Sequence, residues 1–197
     1  MKVTIHQPEH FPYEGFFQKM DSADVFVVLD NVNFRKNYFQ NRNKFLNTQG
    51  KEEWFGFPVP KKSTRLLIKD VKPICDNDLP WKDKLFRKLE INLGDDIRHF
   101  YKYESLLEIN MAGIVWLMDK LKIKTQIVYA SELDVEGNKT DLLANICHKL
   151  GAKTYISGPS GKDYLNIDKF SEKNIDVEFF MPNVKNYYSM LYNVKRQ

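Results

Sequence analysis

The residues with the most chemical reach near the amino terminus are packed into His6-Gln7-Pro8-Glu9-His10. An imidazole titrates near neutrality, so it can donate to a phosphate or carry a proton between reactants. His6 and His10 are therefore candidate catalytic groups, and Gln7 a candidate ligand contact. The plainer alternative is a core histidine satisfied by a backbone carbonyl. Two histidines four apart can also share a metal, but Pro8 breaks the helix that would align them and no third ligand stands out, so no metal is expected. Asp30 ends an apolar run and is the third catalytic candidate. Its carboxylate can orient His6, hold a hydroxyl or act as a base. It can equally cap a loop as an Asx turn.

Two further clusters suit ligand binding. Arg35-Lys36 and Asn41-Arg42-Asn43 surround Tyr38 and Phe39. Arg42 can fork onto a phosphate or carboxylate, Lys36 adds charge, Asn41 offers an amide, and the rings can stack on a planar or sugar ring. Ser157-Gly158-Pro159-Ser160-Gly161-Lys162-Asp163-Tyr164 brackets a turn with two glycines. Gly158 and Gly161 would let backbone amides face an anion, with Ser157, Ser160, Lys162 and Tyr164 as side-chain contacts. The spacing is not that of a P-loop or of a nucleophile elbow. The competing readings are a solvated loop and a tight connecting turn without ligand.

The elements that must position these groups follow from hydrophobic pattern. Residues 2–6 alternate and read as a strand that Pro8 stops, and 13–20 suits a helix with Phe16, Phe17 and Met20 on one side. Residues 24–29 read as a strand whose members from Val25 to Leu29 are continuously apolar, as expected of a strand buried on both faces in a parallel sheet. Residues 30–43 read as a polar stretch with interleaved aromatics. Residues 53–59 and 65–71 suggest two strands of a hairpin lobe joined by Pro60-Lys61-Lys62-Ser63. Helices are expected over 79–93, closed by Gly94, over 106–121, and over 140–150, closed by Gly151. Strands are expected at 125–130, 153–157 and 175–180, with 158–163 as an exit loop. The pattern predicts an α/β fold, an open and mostly parallel sheet with flanking helices and a small inserted hairpin and helical lobe at about 45–120, all in one domain of 197 residues.

Composition bounds the function. Hydrophobic residues make up 43% of the chain and aromatics 14%, enough for a real core. A net charge of +4, from 30 basic and 26 acidic residues, permits an anionic ligand but gives no extended basic groove, so nucleic acid is not an expected partner. Cys75 and Cys147 supply no disulfide framework, which fits a cytoplasmic protein, and Cys147 is expected to be buried. Neither a signal peptide nor a membrane span is expected.

Taken together, Ile5-His6-Gln7-Pro8, Phe11-Pro12-Tyr13-x-Gly15-Phe16-Phe17-x-Lys19, Ala23-Asp24-Val25-Phe26-Val27-x-Leu29-Asp30-x-Val32 and Phe39-Gln40-Asn41-Arg42-Asn43 resemble the opening of the WbqC-like family. Leu150-Gly151-Ala152-x-x-Tyr155-x-Ser157-Gly158-Pro159-Ser160-Gly161-Lys162-Asp163-Tyr164-Leu165 resembles that family's second signature. The chain departs from the pattern near its end. Members commonly carry His-Pro-x-Tyr there, and this chain has Met181-Pro182-Asn183-Val184 and, further on, Tyr187-Tyr188. The resemblance implies a bacterial protein of O-antigen or other surface-polysaccharide synthesis. It further implies a transferase moving an acyl or aminoacyl group to a nucleotide-activated amino sugar, so that the partner is a small anionic ligand of the nucleotide-sugar class. No cofactor is assigned, and a homo-oligomer stays open. A fainter likeness of layout links His6, His10 and the Ser160/Lys162 loop to HIGH-type nucleotidyltransferases. A non-catalytic nucleotide-sugar binder serving an aminotransferase is the third reading.

Overall fold

The computed structural model describes residues 1–93 and 97–194. In chain order the strands and helices are β1 (Lys2–His6), α1 (Glu14–Asp21), β2 (Val25–Val28), β3 (Arg42–Leu46), β4 (Glu52–Gly56), α2 (Lys82–Leu93), α3 (Leu106–Leu121), β5 (Gln126–Tyr129), α4 (Lys139–Lys149), β6 (Thr154–Ser157), α5 (Asp168–Ser171), β7 (Asp176–Phe179) and α6 (Met190–Val194). The chain divides into two compact units. The first holds Met1–Gln7, Gly15–Asp30 and Ile123–Val184; the second holds Pro8–Glu14, Asn31–Lys122 and Lys185–Gln197.

The first unit is an α/β layer built on a parallel sheet in the order β5-β2-β1-β6-β7. All four residues of β2 are buried, which is why its sequence shows no polar alternation: it runs between β1 and β5 with both faces covered. The edge strand β7 alternates exposed and half-buried positions instead. Phe16, Phe17 and Met20 of α1 are at most 2% exposed, and α4 buries Leu142, Leu143, Ile146 and Cys147. Gly151 closes α4 at φ +70°, donating to His148, while the Ala152 amide returns to Cys147. Tyr155 of β6 stacks flat on Phe170 of α5, with ring centroids 4.9 Å apart.

The second unit is mainly helical, with one antiparallel hairpin, β3–β4, registered Arg42↔Gly56 to Leu46↔Glu52. The pairing differs from the expected hairpin. Residues 61–65 and 68–70 form 3₁₀ turns, and the partner of β4 lies in the stretch that begins at Arg42. The strand pattern of β3 is masked because one of its two buried positions is Asn43. That amide donates to the His10 and Phe11 carbonyls, so a polar residue occupies a core position at no cost in unmet hydrogen bonds. Gly56 has φ +150°, and a side chain there would strike the Asn41 carbonyl and the Arg42 backbone. Helix α3 starts at a capping box, in which Ser105 accepts from the Glu108 amide and the Glu108 carboxylate accepts from Ser105. The expected Gly94 cap of α2 lies outside the described residues. Cys75 is exposed and Cys147 buried, and neither is in a disulfide. No helix among the described residues is long and apolar enough to cross a membrane.

Candidate functional site at the carboxyl rim of the parallel sheet

Strand order decides where this sheet can hold a ligand. From β1 the chain builds outward in one direction through β2 to β5, and later in the other direction through β6 to β7. The reversal falls between β1 and β6, which pair in parallel with Thr4 opposite Ile156. At such a switch point the connections leave the sheet on opposite sides and open a crevice beyond the carboxyl ends of the strands. His6 and Gln7 leave β1 there, and Ser157 and Gly158 leave β6 beside them. The two distant stretches marked out by sequence thus meet at one rim.

The His6 ring is half-buried, edge-on to Phe16 at 4.9 Å. Its Nδ1 lies 2.9 Å from the Gln7 carbonyl. A carbonyl only accepts, so Nδ1 carries the proton and the lone pair sits on Nε2. Burial pulls the imidazole pKa down to about 3, and the Lys19 ammonium adds to the effect. Lys19, in α1, is 5% exposed and donates to the Ile5 carbonyl at 3.4 Å. His6 is therefore neutral at physiological pH. Sequence pattern alone marks Lys19 only as part of the family signature, and its burial beside Phe16, Phe17 and Met20 comes from the fold.

Asp30 is at the same rim, at the exit of β2, and is 1% exposed. Its two oxygens accept from the Ser131 amide at 2.9 Å and the Ser131 hydroxyl at 2.6 Å. The carboxylate thus anchors the 3₁₀ turn after β5, and His6 takes its orientation from Gln7. Ser131 was missed at the sequence level, although its position just past a strand end was a usable signal.

The turn after β6 is a 3₁₀ helix, Pro159–Asp163. Of the two glycines expected to turn amides toward a ligand, Gly161 has its amide engaged within the turn. The Gly161 amide closes the turn on the Gly158 carbonyl at 3.0 Å. A Cβ at Gly161 would fall on the Ser157 hydroxyl, so this glycine serves packing inside the turn. A Cβ at Gly158 would meet nothing within 4 Å. What the turn shows to solvent is side chains: Ser160, Lys162 and Tyr164 are exposed, and the Lys162 ammonium lies 5.6 Å from the Phe179 ring centroid.

The remaining candidates belong to the second unit. Lys36 is exposed, and Asn41 donates to the Phe57 carbonyl at 2.8 Å. Arg42 donates to the Asn37 carbonyl at 2.8 Å and lies over the Trp54 ring at 4.4 Å. His10 is 0% exposed, ringed by Phe11, Phe55, Phe57 and Tyr101. Asn110 fixes its state. The Asn110 amide nitrogen donates to the Pro8 and Gln40 carbonyls, so its oxygen must accept from His10 Nδ1 at 3.1 Å. The Tyr101 hydroxyl then donates to Nε2 at 2.9 Å. Burial takes this imidazole also to about 3. His10 thus joins Asn110 and Tyr101 in a buried hydrogen-bond network. Among the described residues no three His, Cys, Asp or Glu side chains come together as a metal site.

Both imidazoles bind a proton in the unfolded chain near 6.5 and resist one in the folded chain down to about 3. Their contribution to stability is complete above about pH 6.5 and is lost as pH falls toward 3. Two such groups make the unfolding free energy fall by up to about 2.7 kcal/mol per pH unit below that point. Urea unfolding at about pH 7.5 and about pH 5.5 checks this, and equal midpoints at the two values would mean that these rings are not held neutral.

The chain matches the model of the WbqC-like protein family over residues 7–194. The uncharacterized protein Rv1507c of Mycobacterium tuberculosis is 26% identical over 191 residues, covering 91% of this chain and 81% of the relative. No solved structure matches. Both signature stretches meeting at the switch point, His6-Gln7 and Ser157-Gly158, lie in or at the edge of that match, and the chain belongs to the WbqC-like protein family.

Proposed function

We propose that the protein transfers an acyl or aminoacyl group to the amine of a nucleotide-activated amino sugar, in the synthesis of a cell-surface polysaccharide. The observation that carries the reading is His6: a neutral imidazole with its proton held on Nδ1, at the switch point of a parallel sheet beside Ser157 and Gly158. Family membership supports the polysaccharide setting, and the match through residues 7–194 supports treating the chain as one functional domain. The sugar amine attacks the carbonyl carbon of an activated acyl donor, a thioester or a mixed anhydride. Nε2 of His6 takes the proton that the amine loses. The donor's leaving group departs with the bonding electrons and is protonated in turn, which returns His6 to its neutral form. Lys162 and Ser160 supply a charge and a hydroxyl for the anionic ligand. Nucleotide sugars are made in the cytoplasm, and the reading places the protein there.

The strand order also suits nucleotidyl transfer, in which two histidines meet a triphosphate. His10 has both ring nitrogens committed to Asn110 and Tyr101, and this favours the acyl-transfer reading. A thermal-shift screen tests the choice. Nucleotide-linked amino sugars at a hundred times Kd are expected to raise Tm by about 5–10 °C. A Tm unmoved by any of them, with ATP or CTP and Mg²⁺ raising it and releasing pyrophosphate, would replace this reading with nucleotidyl transfer.

A further inference from the structure

The second unit contains a cleft of about 470 Å³ between the β3–β4 hairpin and α2, a volume in the range of small-ligand sites. Its apolar wall includes Trp81, 9% exposed, and two side chains left unusually open for their type: Trp54 at 42% and Leu79 at 46%. The Arg42 guanidinium lies over the Trp54 indole. Arg42, Asn41 and Pro58 also line a second hollow of about 210 Å³, whose other wall carries Lys36 and Lys61. The two hollows therefore adjoin through one arginine.

Charge and shape narrow the occupant. No carboxylate lines either hollow, whereas Lys36, Arg42, Lys61 and Lys84 do. Lys88 is already engaged by Glu53 at 3.2 Å and by the Trp54 carbonyl at 2.9 Å. A neutral sugar recognised through acidic acceptors finds none here. The Trp54 indole keeps 42% exposure even with Phe39 stacked at 5.9 Å and Arg42 over it at 4.4 Å, so a flat ring can join this stack where Arg42 swings outward, and an anion finds the cations beyond it. Arg42 adds an independent sign: its Nε is buried and has no hydrogen-bond partner, a condition that native proteins rarely leave uncompensated. An anion drawing the guanidinium outward would let that N–H donate.

We propose that this cleft binds a nucleoside diphosphate, with the base against Trp54 and the phosphates on Arg42 and toward Lys36 and Lys61. The proposal concerns a nucleotide site within the second unit taken by itself. It shares with the transferase reading only the assumption of a nucleotide ligand, and it does not depend on His6 chemistry.

Calorimetric titration of the full chain with UDP, GDP, CDP and TDP tests it, alongside quenching of tryptophan fluorescence. At least one diphosphate is expected to bind with Kd below about 1 mM. Trp54→Leu and Arg42→Gln are each expected to weaken it by about tenfold or more, whereas Trp54→Phe, which keeps a stacking face, stays within about threefold. Inorganic pyrophosphate is expected to bind more weakly than the diphosphate, because it lacks the ring. Circular dichroism melts confirm that each variant folds. The proposal is overturned if no diphosphate binds the wild type, if both weakening variants keep Kd within about twofold, or if single-stranded oligonucleotides bind far more tightly than any mononucleotide. If Trp54→Leu binds diphosphate normally while amino-sugar nucleotides still raise Tm, this placement falls and the transferase reading stands.

Discussion

His6→Ala is expected to lower turnover of a nucleotide-linked amino sugar by about 100-fold, the low end of what one positioned base contributes, because its depressed pKa makes it a weak base. The ring has a fixed task because its surroundings leave one tautomer. Nδ1–H is spent on the Gln7 carbonyl, and burial with the nearby Lys19 charge keeps the imidazole unprotonated. His6→Gln is expected to lose nearly as much, since an amide has hydrogen-bonding groups but takes no proton. The pH profile gives a second reading of the same group. With a pKa near 3 in the free protein, the acid limb of kcat/KM lies far below the usual histidine range near 6.5. Turnover within about threefold of wild type in both variants would remove His6 from the chemistry.

Asn110→Leu is expected to cost about 3–5 kcal/mol of folding free energy, from buried polar groups at about 1–3 kcal/mol each. The substitution keeps the branched shape but is bulkier, and it orphans the Pro8 and Gln40 carbonyls and the His10 Nδ1–H, all held by one amide in the second unit. The cost is large beside a total stability of about 5–15 kcal/mol. Asn110→Ala is expected to lose less, because the smaller side chain leaves room for water to meet some of the same groups. Urea unfolding followed by tryptophan fluorescence measures both. A loss below about 1 kcal/mol for Asn110→Leu would show that the network tolerates an apolar centre and that His10 owes its position to the surrounding rings alone.

Much of this molecule follows from local pattern. The continuous apolar run within 24–29 implied a central parallel strand, and β2 is one because unbroken hydrophobicity is what two covered faces require. Residues 106–121 were bounded correctly by period, since Ser105 and Glu108 cap the start in a way the chain carries locally. The position of the site was legible for the same reason: residues that end parallel strands share a rim, so His6, Asp30 and Ser157 needed only the strand assignments to be placed there. Tertiary structure decided which groups the candidate residues meet. Nothing local distinguishes His10 from His6, four residues away. The difference comes from Asn110 and Tyr101, about a hundred positions on, which take both nitrogens of one ring. Asn43 hid a strand because its burial is balanced by carbonyls more than thirty residues distant. Gly161 looked like a ligand cradle until its space proved to be filled by Ser157. Patterning reports which face of an element is buried; which partner satisfies a buried polar group depends on chain segments that only the fold brings together.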